Sequence, residues 1–346
     1  MPTYRRADVT AVTAERRGLQ RVETTGGRAY VLTGLTGPVV AGDPVLLHPT
    51  TAELGLGPGG WHVVHWNLAR DDWVEPGPGH IMKLRYTSLQ TDTGAAEELH
   101  PEPPADLGGI PVVACGLHSQ MACVVAAAKA AGPALRVAYV MTDGAALPLA
   151  LSDLVAALTR AELLAGTVTC GHAFGGDLEA VGVPAALALA RHVLGADVIV
   201  VAMGPGVVGT ATTLGTTGLE VASVLDLTAA LGGDPIACLR ASSGDRRDRH
   251  AGVSHHSATS LDLVRSTVTV ATDDADLFVH DRHHVVVVEP PDPDMAGLLA
   301  RWELTVTTMG RTPDQDPAFF RAAGAAGTLA ARRSGTLVAR RAGHPS

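Results

Sequence analysis

The stretch Arg240–Ser257 carries the densest set of ionisable groups in this chain. It holds four arginines, two aspartates and three histidines. An apolar run, Pro235–Leu239, precedes it, and a run of helical character, Ala258–Arg265, follows it. A loop that only connects two buried elements needs none of this chemistry. Because arginine binds carboxylate and phosphate with paired hydrogen bonds and histidine transfers protons near neutral pH, the stretch predicts a site for an anionic ligand.

The elements around this stretch belong to a regular alternation of apolar and helical runs that begins after residue 109. The runs of strand length are Pro111–Cys115, Leu135–Met141, Thr167–Cys170, Asp197–Met203, Pro235–Arg240, Thr267–Ala271, His284–Glu289 and Leu304–Thr308. The helical runs lie at about 120–131, 149–165, 184–194, 218–231, 258–266, 294–302 and 317–332. Continuous apolar strands joined by helices indicate a parallel sheet buried on both faces. We predict an open, mostly parallel α/β/α sheet, with a closed β/α barrel as the alternative.

Residues 1-90 have a different pattern. Short alternating runs, such as Arg28–Leu32 and Pro44–His48, are separated by Gly, Pro and Asp turns, which is typical of a small β-barrel or sandwich. Residues 91-109 are rich in Glu, Pro and Asp and predict a linker. The parallel α/β domain is predicted to span residues 110-335, with a tail at 336-346. Asp316 is predicted to cap the last helix, with Pro317 as its first residue.

The two edges of the predicted sheet differ in chemistry. Ligands of parallel sheets bind at the carboxyl ends of the strands. The segments that follow those ends are polar or glycine-rich: Cys115–Gln120, Thr142–Gly144, Cys170–Asp177, Gly204–Thr210, Arg240–Ser257 and Met309–Arg311. The segments at the opposite ends are short turns of Gly, Ala, Pro and Leu. This asymmetry predicts that the carboxyl edge carries the functional site.

The leading hypothesis is an enzyme that acts on a small anionic metabolite, with phosphate or carboxylate as the charged group. The predicted catalytic residues are His118, Ser119, His172, Asp177, His255 and His256. The predicted ligand-binding residues are Asp143, Gly144, Gly204, Gly206, Gly209, Thr210, Arg240, Arg247 and Arg249. A non-catalytic small-molecule-binding or regulatory protein is the alternative. The plainest interpretation of the loop is a solvated ion-pair network among Arg246, Arg247, Arg249, Asp245 and Asp248.

Two alternatives would add a cofactor, a nucleotide or a divalent metal. Gly204–Gly209 matches G-x-G-x-x-G after a strand, and Arg240 with Ser242 would suit the 2′-phosphate of an NADP-type dinucleotide. Against this, a Thr-rich segment separates the glycines from the next helix. A metal site would draw on His118, His172, Asp177, His250, His255 and His256. No local ligand spacing such as H-E-x-x-H is present, and adjacent His255 and His256 cannot both point the same way on a helix, so one is predicted to be structural.

A nucleophilic hydrolase is a weaker hypothesis. Ser119 lies between a strand and a helix, as the nucleophile of a serine hydrolase does. The residues two before and two after it are Leu117 and Met121, however, where the sharp turn requires small residues.

Composition limits the other classes of function. The net charge of −9 argues against a nucleic-acid partner and against an anionic membrane surface. No apolar run follows the start of the chain and none reaches about 18 residues, so we expect neither a signal peptide nor a membrane span. The four cysteines form no C-x-x-C pair, which favours a reduced, cytoplasmic protein. A homo-oligomer is left open.

Several long motifs resemble an uncharacterised, mainly actinobacterial family, Domain of Unknown Function 3866. These motifs are Gly79–Thr87, Cys115–Gln120, Gly171–Ala180, Arg247–Ser257 and Thr308–Pro317. The resemblance spans nearly the whole chain and implies a cytoplasmic bacterial protein. It brings no established activity, substrate or catalytic residue.

Overall fold

The computed structural model describes residues 3–55, 60–100, 103–289 and 294–342, with side chains as far as residue 337. The chain divides into two compact units, Met1–Gly94 and Ala95–Ser346. The division falls within the segment 91-109 that was predicted to be a linker. That segment is not free of structure, because it contains a short strand, Thr91–Asp92, and a short helix, Ala96–Leu99.

The first unit is built on a closed five-stranded barrel, as predicted. Its strands are β1 (Arg5–Arg16), β2 (Leu19–Thr24), β3 (Gly27–Val31), β4 (Pro44–His48) and β5 (His62–Asn67). Their order is β1-β2-β3-β5-β4, and β3 and β5 run parallel. The long β1 pairs with both β2 and β4, and two register shifts let it bend around the barrel. Small β-branched residues such as Val9, Val22 and Val64 fill the interior.

Short elements complete this unit. The helices α1 (Thr33–Thr36) and α2 (Thr50–Glu53) are one turn each, and β6 (Met82–Lys83) pairs with β7 (Thr91–Asp92).

The second unit contains an open sheet of eight parallel strands. These are β8 (Pro111–Cys115), β9 (Val137–Thr142), β10 (Gly166–Thr169), β11 (Leu178–Glu179), β12 (Val198–Met203), β13 (Asp234–Cys238), β16 (Thr269–Thr272) and β17 (His284–Val287). The order is β11-β10-β9-β12-β8-β13-β16-β17, with β11 and β17 at the edges. The open sheet is therefore confirmed and the β/α barrel alternative is excluded. A two-stranded ribbon, β14 (Ala241–Ser242) with β15 (Gly252–Val253), lies outside this sheet.

One predicted strand was wrong. Leu304–Thr308 forms no strand of the sheet, and the short β11 is the eighth strand instead. The reason for the error is visible in the burial pattern, because Leu304, Val306 and Thr308 are buried while Thr305 and Thr307 are exposed. The segment thus packs against the core with the alternation of a strand but has no neighbouring strand to pair with.

Helices cover both faces of the sheet. They are α3 (Ala96–Leu99), α4 (His118–Ala131), α5 (Asp153–Arg160), α6 (Val183–His192), α7 (Glu220–Ala230), α8 (His255–Leu263), α9 (Met295–Arg301) and α10 (Pro317–Ala342). Apolar residues of α4, α5, α9 and α10 pack on one face, and those of α6, α7 and α8 pack on the other. None of the helices in the described ranges is both long and apolar enough to cross a membrane.

The last helix begins at Pro317, as predicted, but continues to Ala342. The predicted tail at 336-346 is therefore helical through residue 342, and residues 343–346 lie outside the described part. Asp316 does not act as the predicted side-chain cap. Its carboxylate turns toward residues 242–244, and the hydroxyl of Ser243 accepts the Ala318 amide at 3.4 Å instead.

Candidate functional site

The chain changes direction at the carboxyl ends of β8 and β13. The helix that follows β8 packs on one face of the sheet, and the helix that follows β13 packs on the other. Such a point opens a crevice between the two strands, where open α/β sheets bind ligands. Here the crevice holds a cavity of only about 20 Å³, with Arg240, His256 and Gly116 among its lining residues. That volume admits about one water molecule.

The buried part of the loop after β13 is organised around Asp245. Its side chain is 3% exposed, and Arg247 binds it through two hydrogen bonds of 2.6 and 2.9 Å. Arg311 approaches the same carboxylate at 3.3 Å, and Arg240 lies at 3.9 Å. The Arg247 guanidinium beside Asp245 holds the pKa of that carboxyl well below its usual range. Asp245 therefore remains ionised and fixes the positions of three arginines.

A second carboxylate, Asp316, anchors the loop to the start of α10. It is fully buried and accepts hydrogen bonds from the Ser242 hydroxyl at 2.6 Å and from the Ser243 amide at 2.8 Å. The Arg311 Nε donates to it at 2.9 Å. Burial raises the pKa of Asp316, but these hydrogen bonds outweigh burial, so the net pKa is lowered. Arg311 is thus held between two carboxylates.

An open cleft of about 610 Å³ lies beside this network. Its lining residues are Gly244, Asp245, Arg246, Arg247, Met309, Gly310, Arg311 and Gln315. Its volume lies within the range of small-molecule sites. Arg246 is exposed and forms no ion pair within the described parts of the chain. Three arginines and one carboxylate, Asp245, therefore line the cleft. Two of the arginines are held in place by carboxylates: Arg247 by Asp245 and Arg311 by Asp316.

Three histidines, His250, His255 and His256, form what we call the histidine cluster. One ring nitrogen of each lies within 4.8 Å of the others. The Nε2 atoms of His255 and His256 are buried and have no hydrogen-bond partner among the described residues. Burial, with help from Arg240, lowers the pKa of His250 to about 3 and that of His256 to about 4. All three rings are therefore neutral near pH 7, the state in which imidazole also ligates divalent metals.

The start of α8 explains why the two adjacent histidines converge. The helix begins at His255, three residues before its predicted start, and the Ser254 hydroxyl caps it by accepting the His256 amide. Both rings therefore project from the first turn, and their centroids lie 4.2 Å apart. The prediction that His255 and His256 could not point the same way was wrong. The third ring, His250, precedes the helix, and both rings lie next to it.

Arg240 connects the histidine cluster to the arginine network. Its guanidinium donates to Nδ1 of His256 at 3.3 Å and lies 3.9 Å from Asp245. Burial lowers the pKa of Arg240 to about 10, so it remains charged at neutral pH. The exposed Arg249 lies near enough to lower the pKa of His255. Of the predicted site residues, the structure therefore brings together Arg240, Arg247, Arg249, His255 and His256.

Two predicted catalytic residues lie at the start of α4. His118 is buried, with Nδ1 at 3.0 Å from the Met203 carbonyl and Nε2 at 2.6 Å from the Ser152 hydroxyl. Burial lowers its pKa to about 4. These bonds account for His118 as a cross-link between β12 and the cap of α5, and its catalytic role stays a prediction. The neighbouring Ser119 carbonyl accepts a weak bond from the Cys123 thiol.

A separate group of predicted residues lies at the ends of β9 and β10. The Asp143 carboxylate accepts the His172 amide at 3.0 Å. Near it, the Glu220 carboxylate accepts the Thr142 hydroxyl at 2.6 Å and lies against Gly144, where an added Cβ would be 2.7 Å away. Burial raises the pKa of Glu220 to about 7. Glu220 was not among the predicted site residues, although a glutamate that begins a helix after a polar loop was an available signal.

Asp177 does not reach the carboxyl edge. Its carboxylate accepts the amide and hydroxyl of Thr167 at 2.9 and 2.8 Å, and Thr167 is the second residue of β10. The loop after β10 folds back along the sheet to pair β11 beside β10, and this return carries Asp177 away from the edge.

The Gly204–Thr210 segment lacks the geometry of a dinucleotide fingerprint. That fingerprint needs a helix that begins within the glycines, whereas α7 begins only at Glu220. The exposed Thr210 bonds within its own loop, to Thr212 at 2.8 Å. Gly209 does approach the histidine cluster, since a Cβ added there would lie 3.6 Å from the His256 ring.

Fold and site together define the class: a two-unit chain, with a small barrel and a parallel α/β unit whose carboxyl edge carries a basic cleft. The chain belongs to the family described as "Protein of unknown function (DUF3866)", whose model matches residues 28–327. The matched range contains the arginine network, the cleft and the histidine cluster. No curated protein and no solved structure matches the chain. The family resemblance is confirmed, and it adds no activity to the site.

Proposed function

We propose that this protein is an enzyme that acts on a small metabolite with a phosphate or carboxylate group, bound in the cleft beside β13. The observation that carries the proposal is the set of three arginines, Arg246, Arg247 and Arg311, that line one cleft of about 610 Å³. Guanidinium groups bind both kinds of anion through paired hydrogen bonds.

The arrangement favours binding because two of the three arginines are fixed before a ligand arrives. Asp245 holds Arg247, and Asp316 holds Arg311. Ordering a long side chain costs about 0.5–1.5 kcal/mol on binding, so a guanidinium that is already ordered adds more to affinity. Arg246 has no ion pair in the described residues, so a ligand need not displace one.

Perturbed groups on the same edge favour an enzyme over the non-catalytic alternative. The histidine cluster holds buried imidazoles, and Glu220 has a pKa of about 7. Groups shifted in this way are typical of catalytic sites, where a pKa near 7 suits proton transfer. The net charge of −9 argues against a nucleic-acid partner, and the four buried, free cysteines support a cytoplasmic location. A bacterial source rests on the family resemblance alone.

Calorimetric titration with inorganic phosphate, phosphosugars and dicarboxylates tests the proposal. Arg246→Ala removes one charged hydrogen bond, worth about 1.5 kcal/mol, and should weaken binding about tenfold. Arg265→Ala, an exposed arginine outside the cleft, is the matched control and should bind as the wild type does. Absence of anion binding, or equal affinity in Arg246→Ala, would contradict the proposal. Binding without turnover of any tested ligand would favour the non-catalytic alternative.

A further inference from the structure

We propose that the histidine cluster binds one oxygen atom of an oxyanion through ring N–H groups, and that it is not a metal centre. This site stands apart from the cleft residues, so it does not depend on the proposed function.

The contact with Arg240 determines the tautomer of His256. A guanidinium only donates hydrogen bonds, so the Nδ1 of His256, 3.3 Å from the Arg240 nitrogen, must offer its lone pair. The proton of the neutral ring is then on Nε2. This Nε2 is buried and has no acceptor in the part of the chain that the structure describes. A metal needs a lone pair at that position, so Arg240 disfavours a metal and leaves a donor for an anion.

Ser254 determines the tautomer of His250 by the same reasoning. Its hydroxyl oxygen accepts the His256 amide at 3.3 Å and lies 2.7 Å from Nδ1 of His250. Ser254 is buried, and within the described residues its hydroxyl proton has no acceptor other than Nδ1, so the hydroxyl donates to Nδ1. The neutral ring of His250 then carries its proton on Nε2, as His256 does.

The surrounding charge has the sign that attracts an anion. Arg240, Arg247 and Arg249 each act on at least one ring of the cluster, and Asp245 acts on His250 in the opposite sense. Asp245 is itself bound to Arg247. A divalent cation here would meet several guanidiniums without a carboxylate ligand, whereas an oxyanion would meet donors and positive charge.

The spacing of the nitrogens also fits an oxygen atom. Zinc with histidine ligands at about 2.0–2.1 Å brings the nitrogens to about 3.4 Å from one another. One oxygen that accepts three N–H bonds of about 2.9 Å separates the nitrogens by about 4.7 Å. The ring nitrogens of the cluster lie within 4.8 Å of one another, a limit that the oxygen arrangement satisfies. The zinc arrangement satisfies it as well, so the tautomers and the surrounding charge, and not the spacing, favour the oxyanion.

Nitrogen-15 NMR of the histidine side chains in the full-length protein tests the proposal directly, because it reports which ring nitrogen carries the proton. We expect His256 and His250 as Nε2–H tautomers, assigned through His256→Gln and His250→Gln. Inorganic phosphate should shift the Nε2–H signals of the cluster. His255→Ala should weaken this binding about tenfold, whereas Arg246→Ala, in the cleft, should leave these particular shifts in place.

Zinc is the competing probe. Stoichiometric zinc that a chelator removes, or Nδ1–H tautomers in the metal-free protein, would overturn the proposal. Phosphate that leaves the cluster signals unmoved at millimolar concentration would also overturn it. Calorimetry on Arg246→Ala separates the two sites. The cleft can fail to bind phosphate while the histidine cluster still binds it, and the cluster can fail while the cleft still binds it.

Discussion

Replacing Asp316 with asparagine tests the role of the buried carboxylates most directly. The substitution keeps the shape of the side chain and removes its charge. Asp316 now accepts the Ser242 hydroxyl, the Ser243 amide and the Arg311 Nε, at 2.6, 2.8 and 2.9 Å. An amide has one acceptor oxygen, so its NH₂ group must face either the Ser243 amide or the Arg311 donor. The variant therefore loses a charged hydrogen bond, and the NH₂ group of the asparagine faces another hydrogen-bond donor.

The expected cost follows from the burial of the pair. Breaking a buried ion pair by removing one partner costs about 3–5 kcal/mol. Arg311 is 22% exposed and keeps its contact with Asp245, so the lower end applies, about 3 kcal/mol. With a denaturant slope of about 3 kcal/mol per molar urea, the midpoint of unfolding should fall by about 1 M.

Urea unfolding followed by circular dichroism measures this change. Asp248→Asn is the matched control, because Asp248 is an exposed acid of the same loop and should change stability by less than about 0.5 kcal/mol. Asp316→Asn should also weaken anion binding in the cleft, since Arg311 loses its support. A midpoint shift below about 0.3 M, or equal shifts in both variants, would refute the anchoring role of Asp316.

Three further outcomes follow from the buried titratable groups. His118→Ala should destabilise the protein by about 3 kcal/mol in urea, because it leaves a cavity and removes two buried hydrogen bonds, whereas His192→Ala, at an exposed position, should cost little. Glu220→Gln should stabilise the protein above pH 7, since a carboxyl whose pKa is raised from 4.5 to about 7 loses stability as pH rises through that range; a curve parallel to the wild type would contradict this. The free energy of unfolding should fall by about 1.4 kcal/mol per pH unit for each ring as the pH drops from about 6.5 toward 4. In this range the unfolded chain protonates its histidines, whereas His250 and His256 of the folded protein stay neutral. Thermal unfolding at pH 7 and pH 5 measures this change.

The fold could be predicted from local pattern because parallel strands buried on both faces are continuous apolar runs. Seven of the predicted strands of the sheet overlap observed ones, among them Val198–Met203 and Pro111–Cys115. The pattern could not separate a paired strand from an extended segment that packs without a partner, which is why Leu304–Thr308 was misassigned. It also could not detect β11, because a strand of two residues has no period.

The position of the site in the chain was predicted better than the ion pairs that its residues form. The loop after β13 was identified because its ionisable groups are consecutive in the chain. The ion pairs predicted within this loop were only partly right. Asp245 pairs with Arg247 as predicted, but Arg246 and Arg249 are not part of the network. Arg311 and Asp316 complete the network from a distant part of the chain. Arg311 lies 66 residues after its partner Asp245, and Asp316 lies 74 residues after its partner Ser242. No local spacing rule relates residues at that distance.

The position of Arg240 explains why the cleft and the histidine cluster are neighbours of the strand-end crevice and do not fill it. Arg240 is the second residue after β13, and its side chain lines the crevice, which keeps only about 20 Å³. On one side it lies 3.9 Å from Asp245, and on the other it donates to His256 at 3.3 Å. A guanidinium can make both contacts at once because its nitrogens point in different directions. One buried cation therefore closes the usual ligand position, lies beside the Asp245 carboxylate that lines the cleft, and sets the tautomer of His256.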